Sequence, residues 1–530
     1  MTGGHRPDVD VAIIGAGFSG ALAALALRRL GGSVTLVERG SHPRFAIGES
    51  STPLANILIE ELAATYDLPR IAPLSKWGTW RRAYPDLPVG LKRGFSFFHH
   101  SLDRPFADDG AHERQLLVAA SPHDGIADTH WYRPAFDAFL TNEAQDAGAE
   151  LLDQTRIERI AFHGDTAQLD LTRAGVSTSL TARFVVDASG PRGALHRLLG
   201  LEETAPTWLP PTEGLYTHFE GVARWDEAVR PDAGVPYPVD AAALHQVFPG
   251  GWIWILRFNN GITSAGAAVT TPLARELRLE EGAPAWQRLM DRLPSVKAQF
   301  ADARATLPFM HTPRVAFRSR VVCGDRWAML PSAAGVIDPL LSTGFPLTLL
   351  GIGRLVRLLE RTWSGPGREA ALDQYAQQTQ RELDATERLV AALYASMNDF
   401  DLFKRLTRLY FAAASFSETA RRLGRPQLAP GFLLCDHPAF GLASRGIAET
   451  AILKPTDRAR ANLLGRIDRT IEPFDLAGLG DDARRDWYPV LADDLIAGRE
   501  KLGATQAEID SLLARCGFAT ETSQPLTIAD

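Results

Sequence analysis

The sequence contains little cysteine, little lysine and no long apolar run. Its 530 residues include three cysteines, which are far apart and form no CxxC pair. This spacing excludes a disulfide framework and predicts a protein of the reducing cytoplasm. No window approaches the roughly 18 uninterrupted apolar residues that span a membrane, and residues 1–7 lead directly into a predicted strand without room for a signal peptide. We therefore expect a cytoplasmic protein with no membrane span.

An excess of basic charge is also missing. Lys and Arg together number 56 against 63 Asp and Glu, for a formal net charge of −7. This balance excludes the basic footprint of a nucleic-acid-binding surface. We also predict no metal site. Only six of the basic residues are lysines, so arginine carries the surface charge. A lysine within an apolar, aromatic segment therefore needs its own explanation.

The length and composition are those of a globular protein with two or three domains. A chain of 530 residues exceeds a simple single domain, and 45% apolar with 22% charged residues is ordinary for such a protein. The best boundary is the Ser-Gly-Pro-Gly stretch at 364–367. We predict a core over residues 1–365, a β-rich insertion within it at about 205–310, and a mainly helical domain over 366–530.

The N-terminal segment predicts a dinucleotide-binding site. A short β-branched strand at 9–15 runs into Gly15-Ala-Gly17-Phe-Ser-Gly20, an Ala/Leu-rich helix follows, and a second strand ends at Glu38. Gly15 permits the tight turn, Gly17 lets a pyrophosphate approach the backbone, and Gly20 lets helix and strand pack closely. The phosphates would lie at the helix N-terminus. Glu38 would accept hydrogen bonds from an unphosphorylated ribose, which indicates FAD or NAD.

Four further segments hold chemistry-bearing residues, and each has a plain structural alternative. A loop with Arg44 leads to a helix capped by Thr52, and two tryptophans two apart share one face of a strand. A glycine-punctuated loop leads to an apolar helix whose first N–H groups suit an anion, and Lys92 is flanked by aromatic residues. Taken alone, these segments indicate a capped loop, sheet packing, a strand-to-helix connection and a strand-edge lysine with its ammonium in water. The segments are His42–Pro53, Gly251–Arg257, Ala333–Gly344 and Gly90–His100.

In this order the segments resemble the flavin-dependent halogenases. That family has a GxGxxG site for FAD, an R-x-x-G-E loop, a W-x-W-x-I-P signature and an A-A-G-x-I-D-P-L-x-S-x-G loop. The chain is most similar to the phenol halogenases that act on small free aromatics such as phloroglucinol. It shares with them the HPRF-x-x-GE stretch, the K-x-G-F-S-F stretch and a W-x-W followed by F-N-N. The similarity extends to Cys435–Phe440 and so covers most of the chain.

The resemblance implies an α/β fold. Its parts would be a Rossmann-type FAD-binding core of the single-component-like flavoprotein superfamily, an inserted β-rich substrate region and a mainly helical C-terminal region that covers the substrate chamber. It also implies an enzyme of secondary metabolism, of the antibiotic-biosynthesis kind, that uses reduced FAD, O2 and chloride or bromide to make hypohalous acid. The oxidant would be relayed to Lys92 and would halogenate an electron-rich phenol. The implied partners are a small phenolic substrate and a separate flavin reductase, with the chain a monomer or homodimer.

The resemblance assigns roles to individual residues. Lys92 would be the catalytic lysine, either donating a hydrogen bond to the oxidant or becoming a haloamine, and Ser342 would lie between it and the flavin. The residues implied to bind FAD are Gly15, Gly17, Gly20, Glu38, Arg44, Gly48 and Asp338; those implied to bind the halide are Thr343 and Gly344; those implied to line the substrate chamber are Trp252, Trp254 and Phe97.

The chain departs from the family pattern at three places. Leu256-Arg257 replaces the I-P of the tryptophan signature, which leaves the local backbone shape open. Pro331-Ser332 replaces the usual Gly-Asp, so we expect the flavin to bind loosely. Leu341 stands where the tryptophan-acting branch has a glutamate, which argues against free tryptophan as the substrate.

Two other functions stay open from the sequence. The altered tryptophan signature motivates an FAD-dependent aromatic hydroxylase, a monooxygenase that transfers OH to a phenol without halide. The helical C-terminal region motivates a non-catalytic flavin-binding or partner-binding protein.

Overall fold

Two large sheets and a set of long helices make up the structure, a computed structural model that describes residues 7–107, 110–229, 234–363 and 367–518. The predicted α/β core, the β-rich region and the mainly helical C-terminal region are all present. Within these ranges no helix combines the length and apolar character needed to cross a membrane.

The first sheet forms the core around the N-terminal strand, with parallel strands at its centre and antiparallel pairs at its flanks. The buried strand Val9–Ile14 lies between Val34–Val37 and Val176–Asp187 and runs parallel to both. The helix Phe18–Arg29 follows the first strand, so the predicted strand–turn–helix unit is present. The spatial order is Cys323–Gly324, Trp327–Met329, Val176–Asp187, Val9–Ile14, Val34–Val37 and Glu150–Leu152, with Thr155–His163 paired to Thr166–Arg173, which pairs with Val176–Asp187.

The second sheet is mixed, and its central strand carries the two signature tryptophans. Gly251–Arg257 pairs along its whole length with Thr263–Val269, so Leu256-Arg257 leaves the strand regular. The Arg257 side chain donates to Asp240 Oδ1 at 2.9 Å. The sheet reaches beyond the predicted range of 205–310, because strands from both ends of the chain join it. Its order is Arg304–Ala305, Thr212–Glu220, Thr263–Thr270, Gly251–Arg257, Ala243–Phe248, Gly94–His99, Gln115–Ala119 and Trp487–Tyr488, with Met310–Thr312 beside Thr212–Glu220.

A short ribbon positions Lys92. The strand Val89–Lys92, here called the lysine strand, pairs antiparallel with Asp128–Trp131 and places Lys92 opposite Asp128. An isolated bridge joins Ser50 to His130 on the other side of the same partner strand. The loop that follows Gly48 is therefore held next to the lysine strand. A second ribbon is formed by Phe317–Arg318 and Gly335–Val336.

Long helices dominate the C-terminal half. The domain predicted to be mainly helical over 366–530 begins with two long helices. Asp399 caps the second of them by accepting a hydrogen bond from the Leu402 amide at 3.2 Å. The α-helices are Phe18–Arg29, Pro53–Thr65, Trp77–Ala83, Arg133–Asp146, Ala194–Leu198, Trp225–Val229, Thr271–Leu277, Ala283–Arg292, Pro294–Gln299, Pro331–Ala334, Gly344–Thr362, Arg368–Ala395, Phe400–Arg422, Phe440–Ile452, Asp457–Ile471, Ala492–Ala497 and Gln506–Arg515.

One apolar core joins the N-terminal sheet to the C-terminal helices. The same buried cluster contains side chains from Val9–Ile14, Phe18–Arg29, Arg368–Ala395 and Phe400–Arg422. The domain boundary predicted at residue 365 stays a prediction. Helices that follow this residue pack against the core formed by the residues before it. This packing places two long helices beside the loop at 333–344.

Candidate active site

The glycine loop has the close contacts that its three glycines predict. Gly15 has a φ of +98°, and a Cβ there would lie 2.8 Å from the Ala188 carbonyl oxygen. A Cβ on Gly20 would lie 2.0 Å from the carbonyl oxygen of Gly15. A Cβ on Gly17 would enter the space in front of the Arg44 guanidinium, 3.5 Å from its Nη2. The first and third glycines are therefore required by packing, and the second keeps a space open beside a cation.

Glu38 ends the second strand and faces the glycine loop, as predicted. Its carboxylate accepts hydrogen bonds from the amides of Ala16 and Gly40, each at 2.9 Å. Arg44 Nη2 lies 3.3 Å from Glu38 Oε2. Burial disfavours the charge, but the Ala16 amide and the Arg44 guanidinium outweigh it and hold the pKa of Glu38 below its usual range. Glu38 is therefore an anion that can accept hydrogen bonds from ribose hydroxyls.

A second arginine, which sequence reasoning missed, closes the other side of this space. Arg133 binds both carboxylate oxygens of Asp137 at 2.7 and 2.8 Å. Its Nη1 donates to the carbonyls of Ile47 and Gly48 at 3.0 and 2.9 Å. Arg133 therefore fixes the loop that carries Gly48. The available signal was the spacing of four between arginine and aspartate at the start of a predicted helix.

These residues fit the ADP half of FAD. A Cβ on Gly17 would lie 3.4 Å from Asp137 Oδ2 and 3.5 and 3.6 Å from the Nη2 atoms of Arg44 and Arg133, so the glycine leaves free space beside two guanidinium groups and one carboxylate. Arg44 Nε is buried with no hydrogen-bond partner among the described residues, and so is Ser332 Oγ, which replaces the aspartate of the family pattern. Unsatisfied buried polar atoms indicate a missing ligand or water. A pyrophosphate beside the arginines and a polyol chain beside Ser332 would satisfy both.

Asp338 lies in the loop after the Ala-Ala-Gly segment and is buried. Its Oδ1 accepts from the Leu340 amide at 3.0 Å, and its Oδ2 accepts from the Tyr394 hydroxyl at 2.9 Å. Tyr394 in turn accepts a hydrogen bond from Trp252 Nε1 at 3.2 Å. Burial raises the pKa of Asp338 to about 6. The aspartate thereby links this loop to a long helix and to the first signature tryptophan.

The Ser-Thr-Gly loop turns sharply just before the start of a long helix. Leu341 and Ser342 both have left-handed φ values, of 65° and 56°, and the helix Gly344–Thr362 begins directly afterwards. The first amides of such a helix have no partner within the helix. Open space surrounds Gly344, where a Cβ would meet no atom within 4 Å. The Tyr410 hydroxyl donates to the Leu341 carbonyl at 2.9 Å and holds the turn.

Lys92 is completely buried, so the strand-edge alternative is wrong. Its Nζ donates to Ser50 Oγ at 2.9 Å and to the Ser51 carbonyl at 2.5 Å. The nitrogen lies 3.7 Å from the centre of the Phe95 ring. Burial lowers the pKa of Lys92 to about 7, although the charge of Asp128 opposes the shift. Burial therefore favours the uncharged amine form of this side chain.

Aromatic side chains surround the lysine. Phe97 is fully buried and stacks on His245 with ring centres 4.4 Å apart. His245 lies 5.3 Å from the Trp252 ring, which lies 5.6 Å from the Trp254 ring. The helix Phe400–Arg422 adds further rings against Phe95 and Phe97, namely Phe403, Tyr410 and Phe411. Phe97 and both tryptophans thus belong to one aromatic group.

The structure therefore brings the predicted residues into two connected regions. The glycine loop and its arginines form the first, and Lys92 with its aromatic group forms the second. The Asp338 loop touches both, through Tyr394 to Trp252 and through Leu341 to Tyr410. Among the described residues, no group of three or more His, Cys, Asp or Glu side chains is arranged to hold a metal ion.

Known proteins match this chain over most of its length. A family model described as "DAO: FAD dependent oxidoreductase" matches residues 10–335, more than half of the chain. The monodechloroaminopyrrolnitrin halogenase PrnC of Pseudomonas fluorescens is 29% identical over 411 residues, or 76% of this chain and 70% of that protein. The tetracycline 7-halogenase of Kitasatospora aureofaciens is 30% identical over 427 residues, or 78% and 74%. The chain belongs to the flavin-dependent halogenases.

A solved structure agrees with this family. Halogenase PltM, crystallised with phloroglucinol and FAD, superposes with a TM-score of 0.80 at 25% identity, over 90% of this halogenase and 99% of PltM. The predictions of an FAD-dependent halogenase and of its FAD-binding core are confirmed, with FAD and a halide as the required small molecules. A place in secondary metabolism fits relatives named for pyrrolnitrin-type and tetracycline halogenation. The aromatic hydroxylase and the non-catalytic protein gain no support from these relatives.

Proposed function

We propose that this halogenase places chlorine or bromine on a small, electron-rich phenol, using hypohalous acid that reaches Lys92 from the flavin site. The observation that carries the proposal is the environment of Lys92. Its nitrogen is buried, borders an aromatic ring, and forms no ion pair with a described acidic side chain. Burial disfavours the charged form of such a side chain, and an uncharged amine would suit reaction with a small neutral oxidant.

The residues of the first region would bind FAD. Gly17 would leave room for the pyrophosphate between Arg44 and the loop at Gly48, and Glu38 would accept hydrogen bonds from the ribose. Gly15 and Gly20 would keep the helix close enough for its N-terminus to face the phosphates. Asp338 would hold the loop at the flavin end through Leu340 and Tyr394. Bound reduced FAD, with O2 and a halide, supplies hypohalous acid.

The Ser-Thr-Gly loop would hold the halide. The amides of Thr343 and Gly344 lie at the start of a 19-residue helix, where an anion is favoured by free N–H groups and by the helix dipole. The missing side chain of Gly344 would leave room for both the halide and the flavin ring. Ser342, in a left-handed conformation, would lie between this position and Lys92.

The aromatic group would guide the oxidant and exclude water. Hypohalous acid is destructive in water, so the enzyme needs an enclosed route from the flavin to the substrate. Trp252 and Trp254 would separate the flavin from the substrate chamber, and Phe97 would line the chamber. Lys92, at the far end of the route, would receive the halogen and direct it to the ring.

Two observations favour a phenol as the substrate. PltM, which shares this fold along nearly its whole length, is known in complex with phloroglucinol. Leu341 presents an apolar side chain beside the serine of the Ser-Thr-Gly loop, where the tryptophan-acting branch has a glutamate. An electron-rich ring with a small outline is the substrate class that these features fit. A separate reductase would supply the reduced flavin, in the cytoplasm, to a monomer or a homodimer.

The experiment is a substrate panel. The purified protein receives reduced FAD, O2 and an equimolar mixture of chloride and bromide, together with phloroglucinol, other phenols, matched arenes without a hydroxyl group, and free tryptophan. We expect halogen mass shifts on electron-rich phenols and none on tryptophan. Absence of product from every phenol, with flavin reduction confirmed, contradicts the proposal; so does exclusive halogenation of tryptophan or of the arenes that lack a hydroxyl group.

A further inference from the structure

A buried carboxyl group faces Lys92 across the ribbon. The antiparallel register pairs Lys92 with Asp128, and directly paired residues in such a ribbon have Cβ atoms roughly 4.5–5.5 Å apart on one face. Both side chains are buried, with exposed fractions of 0% and 3%. The ribbon therefore places the two side chains opposite each other. The Lys92 nitrogen donates to Ser50 and Ser51, and among the described contacts no hydrogen bond or ion pair joins it to Asp128.

The two carboxylate oxygens of Asp128 differ in their hydrogen bonding. Its Oδ1 accepts from Asn56 Nδ2 at 2.7 Å, and the Asn56 amide oxygen accepts from the Ser51 hydroxyl at 2.9 Å. The orientation of Asn56 is therefore fixed. Asp128 Oδ2 is buried and has no hydrogen-bond partner among the described residues. A carboxylate oxygen without a donor is costly in an apolar site, and protonation of the carboxyl group removes most of that cost.

The surroundings favour an uncharged pair. Burial lowers the pKa of Lys92 to about 7 and raises the pKa of Asp128 to about 8. Further charges near Asp128 come from the helix Phe400–Arg422, where Glu418 raises its pKa and Arg422 lowers it.

The two nearby histidines do not supply charge. Burial lowers the pKa of His245 to about 3 and that of His130 well below its usual range, and the charge of Lys92 adds to both shifts. Both rings are therefore neutral at pH 7, and Asp128 is the titrating neighbour directly opposite the lysine.

We propose that Asp128 is the proton-transfer partner of Lys92 in the halogen relay, an inference that rests on the proposed function. Asp128 takes the proton of Lys92, which leaves a free amine. The amine nitrogen forms a bond to the halogen of hypohalous acid while the halogen–oxygen bond breaks. The departing hydroxide takes the Asp128 proton and becomes water, and the N-halo ammonium returns one N–H proton to the Asp128 carboxylate. The net change is an amine and hypohalous acid giving a haloamine and water.

The haloamine then transfers its halogen to the phenol. A ring carbon forms the carbon–halogen bond, the nitrogen–halogen bond breaks, and the proton lost from the ring goes to the nitrogen. The free amine and the protonated Asp128 are thereby restored. No oxidant other than hypohalous acid is consumed.

The test measures halogenated phenol and hypohalous acid separately, the latter with a trap in solution, between pH 5.5 and 9.5. Wild-type product formation rises as pH increases through the pKa of Lys92, because the free amine is the active form. It falls as pH increases through the pKa of Asp128, because the proton donor is lost. Asp128→Asn is expected to lose product formation by roughly 10²–10⁴-fold, to lose the falling limb, and to keep FAD binding and hypohalous acid formation.

Two companion variants complete the experiment. Asp128→Glu keeps a carboxyl group and is expected to recover part of the rate together with the falling limb. Glu143→Gln removes another buried carboxylate, which binds Arg70 in the turn after the helix Pro53–Thr65, and is expected to leave the profile unchanged. An Asp128→Asn enzyme with the wild-type rate and falling limb overturns the inference, and so does one that no longer forms hypohalous acid. A wild type that forms hypohalous acid but halogenates no phenol overturns the proposed function itself.

Discussion

At the scale of single residues, the glycines of the N-terminal loop are held by contacts of different kinds. Gly15 is fixed by its positive φ, whereas Gly20 is fixed by the close approach of helix and strand. Gly17 has room for a side chain, but only at the expense of the space beside Arg44. Substitution at Gly20 should therefore affect folding, and substitution at Gly17 should affect the ligand.

We predict that Gly20→Ala destabilises the protein by about 1–3 kcal/mol, the usual range for overpacking, and weakens FAD binding. The added Cβ would meet the Gly15 carbonyl oxygen, which cannot move without opening the phosphate turn. Denaturant unfolding and flavin fluorescence measure the two effects. The control is Gly353→Ala, in the interior of the helix Gly344–Thr362, where the Cβ approaches only the flexible end of Arg357. That change should stabilise the protein by about 0.5–1 kcal/mol; equal behaviour of the two variants would contradict the account.

Candidate site residues can be predicted from the sequence where a short local pattern identifies them. The glycine loop and Glu38 lie within 24 residues, and the scarcity of lysine singles out Lys92. Asp128, which lies 36 residues from Lys92, becomes visible only when the register of the ribbon is known. Tyr394 was hidden for the same reason, because its contacts to Asp338 and Trp252 join distant parts of the chain.

At the scale of elements, the helix Phe400–Arg422 connects the lysine region to the flavin loop. Three of its aromatic side chains pack against Phe95 and Phe97. The hydroxyl of Tyr410 holds the Leu341 carbonyl, and Leu341 is in the left-handed region. The helix can therefore fix the distance between the turn at Leu341 and Ser342 and the ring beside Lys92.

We predict that Tyr410→Phe lowers the yield of halogenated phenol per reduced flavin consumed. The change leaves the buried Leu341 carbonyl without a donor, at a cost of about 1–3 kcal/mol, and loosens the turn, so that hypohalous acid escapes to water. The matched control is Tyr375→Phe, which removes an equally buried hydroxyl that donates to the Met329 carbonyl at 2.8 Å, away from the turn. We expect Tyr375→Phe to lose stability but to keep the wild-type yield. The same result for Tyr410→Phe would contradict the role given to Tyr410.

Local patterns predicted most elements but not their ends or their partners. Composition predicts the first strand, the Ala/Leu-rich helix after the glycine loop and the apolar helix after residue 344, and the structure has them at Val9–Ile14, Phe18–Arg29 and Gly344–Thr362. The break before Phe400 was missed, because the capping role of Asp399 was not recognised. The second sheet exceeded its predicted range because Trp487–Tyr488 pairs with Gln115–Ala119, a contact between remote segments.

At the scale of the whole molecule, the glycine loop with its arginines and the buried Lys92 lie in separate parts of one core. The glycine loop and Glu38 lie at the ends of strands of the first sheet. The side chain of Lys92 extends from its ribbon to the Phe95 ring of the second sheet. The loop at 333–344 is the structural link, because it contacts both through Tyr394 and Tyr410. This arrangement is consistent with an oxidant that is made at one place and consumed at another.

The most direct test of the account is the fate of the oxidant in Lys92→Met, which keeps the length and apolar stem of the side chain and removes the amine. Lys404→Met serves as the control, because it removes another buried lysine, one paired with Asp486. Each protein receives reduced FAD, O2, bromide and phloroglucinol, and both brominated product and trapped hypobromous acid are measured. We expect product from the wild type and from Lys404→Met, and trapped hypobromous acid without product from Lys92→Met. Brominated phloroglucinol formed by Lys92→Met at the wild-type rate would contradict it.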